Sequence, residues 1–313
     1  MAVLVIDEHR PVRGLAMSNH GRNNAPSVLY FGMPCALSAP VLGAIESGGH
    51  LVGMVTPARR LGKDPWRMVP RRPNTWSPGR AIESRPLAEV PHYLVGDFLD
   101  PDLRAALKAL KPDLIVVACF PWRIPDDLAA AAGWLAINVH PSILPRHRGP
   151  DPLFWTFQSG DRDTGVSVHV LTARLDDGPL LLQYTTAVHP GEQITGLERR
   201  LGAIGGELVA SLLARFPETV PRIAPHQALP SYEGMPGPLD LRIDPDWTVE
   251  HARMFIDGVA TSHGPLSYSG RNGEQLLITG TGDGDTSVEI VLTNGSLQVQ
   301  TTPAVVSADD SAR

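Results

Sequence analysis

Short, wholly apolar runs alternating with helical segments are what most limits how this chain can fold. Val28-Leu29-Tyr30-Phe31 ends at Gly32, a helical segment follows, and Leu51-Val52-Gly53-Met54-Val55 comes next. A run with no polar alternate face must be covered on both sides, as the strands of a parallel sheet are. Parallel neighbours also need a long crossover between them, which a helix supplies. The first crossover helix is read with Ser38 as its cap, Pro40 in its first turn and Val41, Leu42 and Ile45 on one face, stopped by Gly48-Gly49. Pro101 to Leu110 repeats the pattern with Leu103, Leu107 and Leu110. Leu114-Ile115-Val116-Val117-Ala118 is the most apolar run and is placed as a central strand, with Ala136-Ile137-Asn138-Val139 as another. Val166 to Val170 alternates, Leu180 to Gln183 follows a Gly-Pro turn, and Leu197 to Phe216 has the pattern of a long amphipathic helix. The order predicts an α/β fold with a Rossmann-like, mostly parallel sheet.

A length of 313 residues suggests two domains. Residues 1–26 are polar and contain Pro and Gly, and are read as a weakly structured extension. Residues 27–216 hold the α/β pattern, with 57–86 as a long Arg- and Pro-rich loop. The Pro-rich stretch 217–247 reads as a linker. From 248 to 302, a short helix precedes apolar runs near 265–269, 275–279, 287–292 and 296–301, which predicts a small, mainly β domain; 303–313 is a tail.

Two cysteines, Cys35 and Cys119, make no disulfide framework. Ala2 to Ile6 is too short for a secretory core, and no run nears the ~20 apolar residues of a membrane span. A soluble, cytoplasmic protein with no membrane partner is expected. The net charge of −6 is mild evidence against a nucleic-acid partner. Its distribution says more. Residues 211–313 carry six Arg, no Lys and thirteen Asp or Glu, a net of −7, and the rest of the chain is close to neutral.

Candidate chemistry is densest in Asn138-Val139-His140-Pro141-Ser142-Ile143-Leu144-Pro145-Arg146-His147-Arg148-Gly149. Asn138 and His140 are two apart at the end of a strand, so they share one of its sides. Open α/β sheets bind ligands beyond the carboxyl ends of their strands. The competing reading of His140 is a hydrogen-bonded core histidine. A second segment, Leu175-Asp176-Asp177-Gly178-Pro179, puts two carboxylates in a turn, which on its own is ordinary turn chemistry.

Together these segments resemble the folate-dependent formyltransferase family. The likeness is strong over residues 27–216 and weaker over 217–280. The family signature is an Asn-x-His pair, a His-Pro-Ser-Leu-Leu-Pro run, a Gly, and an Asp in a Leu-Asp-x-Gly turn about 36 residues after the His. Here His140 and Asp176 are 36 apart, with Ile143 for the usual Leu, and Gly149 and Gly178 in place. The strand Val168-His169-Val170 also matches. The resemblance implies the formyltransferase fold, 10-formyltetrahydrofolate as donor, no metal, and Asn138, His140 and Asp176 as catalytic residues. In this reading Asn138 and a protonated His140 donate to the developing oxyanion. Asp176 raises the histidine's pKa toward the charged form and helps move the amine proton. The resemblance also implies a pterin pocket from two loops, with Cys119, Phe120, Trp122, Ile124, Leu171 and Leu175 as its residues. For Trp122 and Ile124 an ordinary core role competes.

Gly32-Met33-Pro34-Cys35-Ala36 lacks the phosphate loop of the glycinamide ribonucleotide branch, since Pro34 removes a donor. The segment resembles instead the branch of methionyl-tRNA and amino-sugar formyltransferases, as does Leu241 to Trp247. Within that branch, an acidic C-terminal third without lysine argues against tRNA phosphate contacts. The favoured acceptor is therefore a small-molecule amine, an amino-sugar nucleotide or amino acid derivative, with initiator tRNA as the alternative. Arg59 and Arg60 in the basic loop are the candidate substrate-binding residues. A non-catalytic binding module is disfavoured because all three polar residues are intact. A histidine metal site is disfavoured because His140, His147, His169 and His189 lack close ligand spacing. The oligomeric state, a homodimer included, stays open.

Overall fold

The fully apolar runs become neighbouring parallel strands, as burial on both faces requires. The computed structural model describes residues 5–7, 25–58, 66–70, 90–224, 231–284 and 286–302. In chain order the first elements are β1 (Val5–Asp7), β2 (Ser27–Gly32), α1 (Ser38–Gly48), β3 (His50–Pro57), β4 (Trp66–Pro70), β5 (Pro91–Val95), α2 (Pro101–Ala109) and β6 (Leu114–Ala118). Then come α3 (Asp126–Ala129), β7 (Leu135–His140), α4 (Pro152–Gln158), β8 (Asp163–Val170), β9 (Leu180–Ala187) and α5 (Ile194–Leu213). The nine strands stand in the order β1-β9-β8-β7-β6-β2-β3-β5-β4. From β7 through β6, β2 and β3 to β5 every pairing is parallel. At β7 the direction changes, because β8 pairs with it antiparallel. The central strands are buried along their whole length in β6 and from Val28 to Gly32 in β2.

Helix ends follow local chemistry. Asp100 caps α2 by accepting from the N–H groups of Asp102 and Leu103, with Pro101 in the first turn. Gly49 closes α1 with its N–H on the Ile45 carbonyl. Ser38 does not cap α1 as expected. It is the first helical residue, buried, and its Oγ accepts from the Cys35 N–H at 3.1 Å. Gly202 and Gly206 let α5 approach α1 closely: a Cβ would meet the Ala36 carbonyl at 2.3 Å and the Pro40 carbonyl at 2.8 Å.

Three spans differ from the sequence reading. Val5–Asp7, in the expected extension, pairs parallel with β9. Trp66–Pro70, in the expected loop, pairs antiparallel with β5, and the loop's residues 59–65 and 71–86 lie outside the described residues. In the expected linker, Arg242–Ile243 forms a strand, β10. Its partner is β11 (Leu266–Ser269), the first strand of the C-terminal sheet after α6 (Val249–His263). That sheet is completed by β12 (Gln275–Thr281), β13 (Ser287–Leu292) and β14 (Gly295–Thr301), in the order β10-β11-β12-β14-β13. Thr248 caps α6 by accepting from the His251 N–H, and Ala252, Phe255, Ile256 and Val259 form the helix's buried face. Two compact units result. The second gathers Leu153–Arg162 and Val188–Leu197 with everything from Gly234. Among the described residues, no helix is long and apolar enough to cross a membrane.

The loop after β7 is fixed by buried polar groups. Ser167 Oγ on β8 donates to the Ser142 carbonyl at 2.7 Å and accepts from the Leu144 N–H at 3.1 Å and from Gln183 Nε2 at 2.8 Å. Gln183 also donates to the Leu144 carbonyl at 3.1 Å. Further on, the Arg148 N–H donates to the Ser231 carbonyl at 3.1 Å, and the Glu233 N–H donates to the Arg148 carbonyl at 2.9 Å. Ser231 Oγ accepts from the His147 N–H at 2.8 Å. Replacing Ser167 by Ala strands the buried Leu144 N–H, so urea unfolding should show a loss of about 1–3 kcal/mol. A loss below the error of that measurement would show that the loop is not held this way.

Candidate active site

β7 carries two polar residues where a central strand otherwise wants apolar ones. Asn138 and His140 lie at its carboxyl end and share one side, and His140 is the strand's last residue. The β8–β9 loop brings Asp176 to them. Asp176 sits in a left-handed conformation, φ +52°, and is buried with its carboxylate inward. Asn138 Nδ2 donates to Asp176 Oδ1 at 3.1 Å. His140 Nδ1 lies 3.7 Å from the same oxygen. The backbone N–H of Gly149 donates to the other oxygen, Oδ2, at 3.0 Å. Gly149 has φ +119°, and a Cβ there would lie 2.0 Å from the Glu233 carbonyl, so only glycine presents this N–H.

Two other histidines complete the surroundings. The His147 carbonyl is 2.8 Å from His140 Nε2, which must therefore carry hydrogen and donate to it. His169 Nδ1 likewise donates to the Val170 carbonyl at 3.0 Å. His169 Nε2 lies 3.2 Å from Asn138 Nδ2 and 3.4 Å from Asp176 Oδ1, so the ring borders both. One amide hydrogen of Asn138 is engaged by Asp176. In the neutral ring, His140 Nδ1 holds a lone pair facing Asp176.

Burial disfavours charge on both partners but does not decide both. For His140 it wins: desolvation lowers the pKa, although Asp176 and the His147 carbonyl pull the other way. The expected rise of the His140 pKa is therefore corrected, and the resting ring is neutral at pH 7. For Asp176 burial loses. Attraction to His140 and His169 and the Gly149 N–H hold its carboxyl well below the usual range. Asp177, the other acid of the turn, is held by Arg148 at 2.6 Å.

The candidate pocket residues separate. A cavity of about 320 Å³ opens between Ile124, Ala129, Ala132, Leu135, Ala136 and Leu171, with Asp126, Thr172 and Arg222 at its polar edges. It contains Ile124 and Leu171 from the sequence reading. Phe120 and Trp122 do not line it. They form an edge-to-face cluster with Phe31 and Phe98, centroids 5.5–6.3 Å apart, which is the competing core role. Leu175 is 46% exposed and not on the cavity wall. Cys119 faces Cys35, their Sγ atoms 2.9 Å apart. Arg59 and Arg60 lie outside the described residues. The cavity and the polar cluster share β7 and the loop that leads to Asp176, for Leu171 donates its N–H to the Ala136 carbonyl at 2.8 Å. The alanines of the cavity, the His147 carbonyl and the Ser231–Glu233 segment were not found from sequence. Alanines and carbonyls carry no signal of their own there.

Residues 80–213 match the family described as formyl transferase. The methionyl-tRNA formyltransferase of Chlorobium chlorochromatii is 31% identical over 248 residues, which cover 77% of this chain and 74% of that one. Among solved structures, HypX from Aquifex aeolicus in complex with tetrahydrofolic acid superposes with a TM-score of 0.54 at 15% identity, over 88% of this chain and 44% of that chain. Methionyl-tRNA formyltransferase from Clostridium thermocellum gives 0.53 at 12% identity, over 88% and 99%. The two structures share the fold. The Chlorobium relative, aligned over most of both chains, shows the descent: this chain is a member of the folate-dependent formyltransferase family and is similar in sequence to its methionyl-tRNA formyltransferases.

Proposed function

We propose that the protein transfers the formyl group of 10-formyltetrahydrofolate to the amine of a small molecule, with Asn138, His140 and Asp176 as its catalytic residues. The observation that carries this reading is a neutral, buried imidazole facing an ionised, buried carboxylate, on a strand whose other end borders a cavity of mixed polar and apolar lining. A volume of about 320 Å³ lies at the lower end of small-molecule sites and suits one flat, fused ring system. Ile124, Leu171 and the alanines would hold the pterin faces, and Asp126 and Thr172 its polar edge. Bound there, the donor supplies a formyl carbon open to attack by an amine.

The chain's own groups then manage protons and charge. A neutral His140 is ready to accept the proton that the attacking amine releases, at Nδ1, directly or through water. Asp176 Oδ1, 3.7 Å away, stabilises the imidazolium so formed. His140 returns that proton to the departing folate nitrogen, which closes the proton balance. The imidazolium offsets negative charge on the formyl oxygen. Asn138 already donates to Asp176, so in the resting site its role is to hold that carboxylate.

Charge supports the small acceptor. In the second unit, Arg242, Arg253 and Arg271 are the described basic side chains from Gly234 onward besides histidine, and Arg271 is already paired with Asp246 at 2.5 Å. Phosphate contacts need unpaired basic side chains in number. The second reading, initiator methionyl-tRNA, is favoured by the 31% identical relative.

Five outcomes are expected. Asp176→Asn should lower kcat by about 10²–10⁴-fold, with circular dichroism unchanged; near-normal turnover would remove Asp176 from the mechanism. In the wild type, kcat/KM should fall on acidification with an apparent pKa below the ordinary ~6.5 of histidine. Because this pKa is depressed on folding, the unfolded chain binds the proton first. Stability should therefore be full above ~6.5 and decline as pH falls below it. Ala132→Phe, which fills the cavity, should raise the KM for the donor far more than it lowers kcat. Finally, tetrahydrofolate release should follow addition of amino-sugar nucleotides or amino acid derivatives; release with charged tRNA alone would replace the first reading with the second.

A further inference from the structure

The chain's only two cysteines are 84 residues apart in sequence, yet they meet. Cys35 lies in the turn between β2 and α1, and Cys119 directly follows β6, the strand paired with β2. The Met33 N–H donates to the Cys119 carbonyl at 3.0 Å, so the two loops are tied through their backbones. Cys119 is held at φ +53°, a conformation that a side-chain-bearing residue adopts only where its surroundings impose it. Glu198 arrives from α5, whose glycine contacts bring it against residues 36–40. Glu198 Oε1 accepts from the Leu37 N–H at 3.4 Å. The ligating atoms of Cys35, Cys119 and Glu198 all lie within 4.8 Å of one another, and all three residues are partly buried.

We propose that Cys35, Cys119 and Glu198 form a binding site for a thiophilic divalent cation of the zinc class. Two thiolates and a carboxylate are a zinc-type donor set, and three protein ligands leave a fourth tetrahedral position for water or a small ligand. The carboxylate distinguishes this from a disulfide. Three groups that repel one another when ionised gain from a shared dication, whereas a disulfide would use the two sulfurs and gain nothing from the carboxylate beside them. Zinc–sulfur bonds of ~2.3 Å at a tetrahedral angle place two sulfurs about 3.8 Å apart. The thiols therefore separate by roughly 0.9 Å from their present 2.9 Å as the cation enters. The binding protons leave to solvent, and the cation replaces them. The site is independent of the histidines, for which the sequence spacing had disfavoured a metal site.

The test uses the full-length protein, purified under reducing conditions and stripped with chelator. Zinc is titrated against a chromophoric chelator, and cobalt(II) is added in a parallel sample. The wild type should retain about one equivalent of zinc and show a thiolate-to-cobalt charge-transfer band. Its thermal unfolding midpoint should rise with zinc. Cys35→Ser and Cys119→Ser should each abolish retention, the cobalt band and the zinc-dependent rise. Glu198→Gln should weaken retention and keep the band. Circular dichroism of the metal-free variants separates lost ligation from lost folding. The proposal is overturned if the wild type retains no zinc, if retention survives Cys119→Ser, or if thiol titration finds both cysteines oxidised with no cation bound.

Discussion

Burying a carboxylate is expensive unless fixed donors meet it, and the catalytic unit is arranged around meeting that demand for Asp176. One oxygen takes the Asn138 amide and faces His140; the other takes the Gly149 N–H. These donors come from a strand end and from Gly149, nine residues further along in the loop that follows it. Each must therefore be held in place by something else. β7 is set by parallel pairing with β6 and antiparallel pairing with β8. The loop is set by Ser167, Gln183 and the Ser231–Glu233 segment. The ionised state of Asp176 and the neutral state of His140 are consequences of this framework, since moving any donor by an ångström would change which group pays the desolvation.

Much of the sheet was legible because its central strands are buried on both faces and so had to be written as apolar runs. The elements that escaped are those that bury little. β5 buries only Tyr93 and Val95 fully, opens with Pro91 and lies one strand from the edge, so it has no continuous apolar run. β10 is two residues long. The meeting of Asn138, His140 and Asp176 was legible as spacing, because a strand end and a turn put them at fixed sequence intervals. The charge state of His140 was not. It depends on a balance between burial and a carboxylate neighbour, and the sequence shows the neighbour but not the burial. Trp122 had an aromatic's ambiguity between core and ligand wall; it is partly buried and packs its ring against Phe98 and Phe120 at the edge of the core. The meeting of Cys35 and Cys119 is set by the pairing of β2 with β6, which no local pattern reports.

The two compact units divide the chemistry. Asn138, His140, Asp176 and the cavity are all in the first unit. The second is built from a cross-paired small sheet with a capped helix and an acidic surplus.

One consequence concerns where the catalytic unit ends. By its elements it looks finished with α5 at Leu213. Yet Ser231 and Glu233, well beyond that helix, clasp His147 and Arg148, and the same loop supplies the carbonyl for His140 and the N–H for Asp176. The peptide that leaves this unit is thus a splint across its reactive loop. A fragment cut after α5 would keep every motif residue and lose the brace that makes them a site.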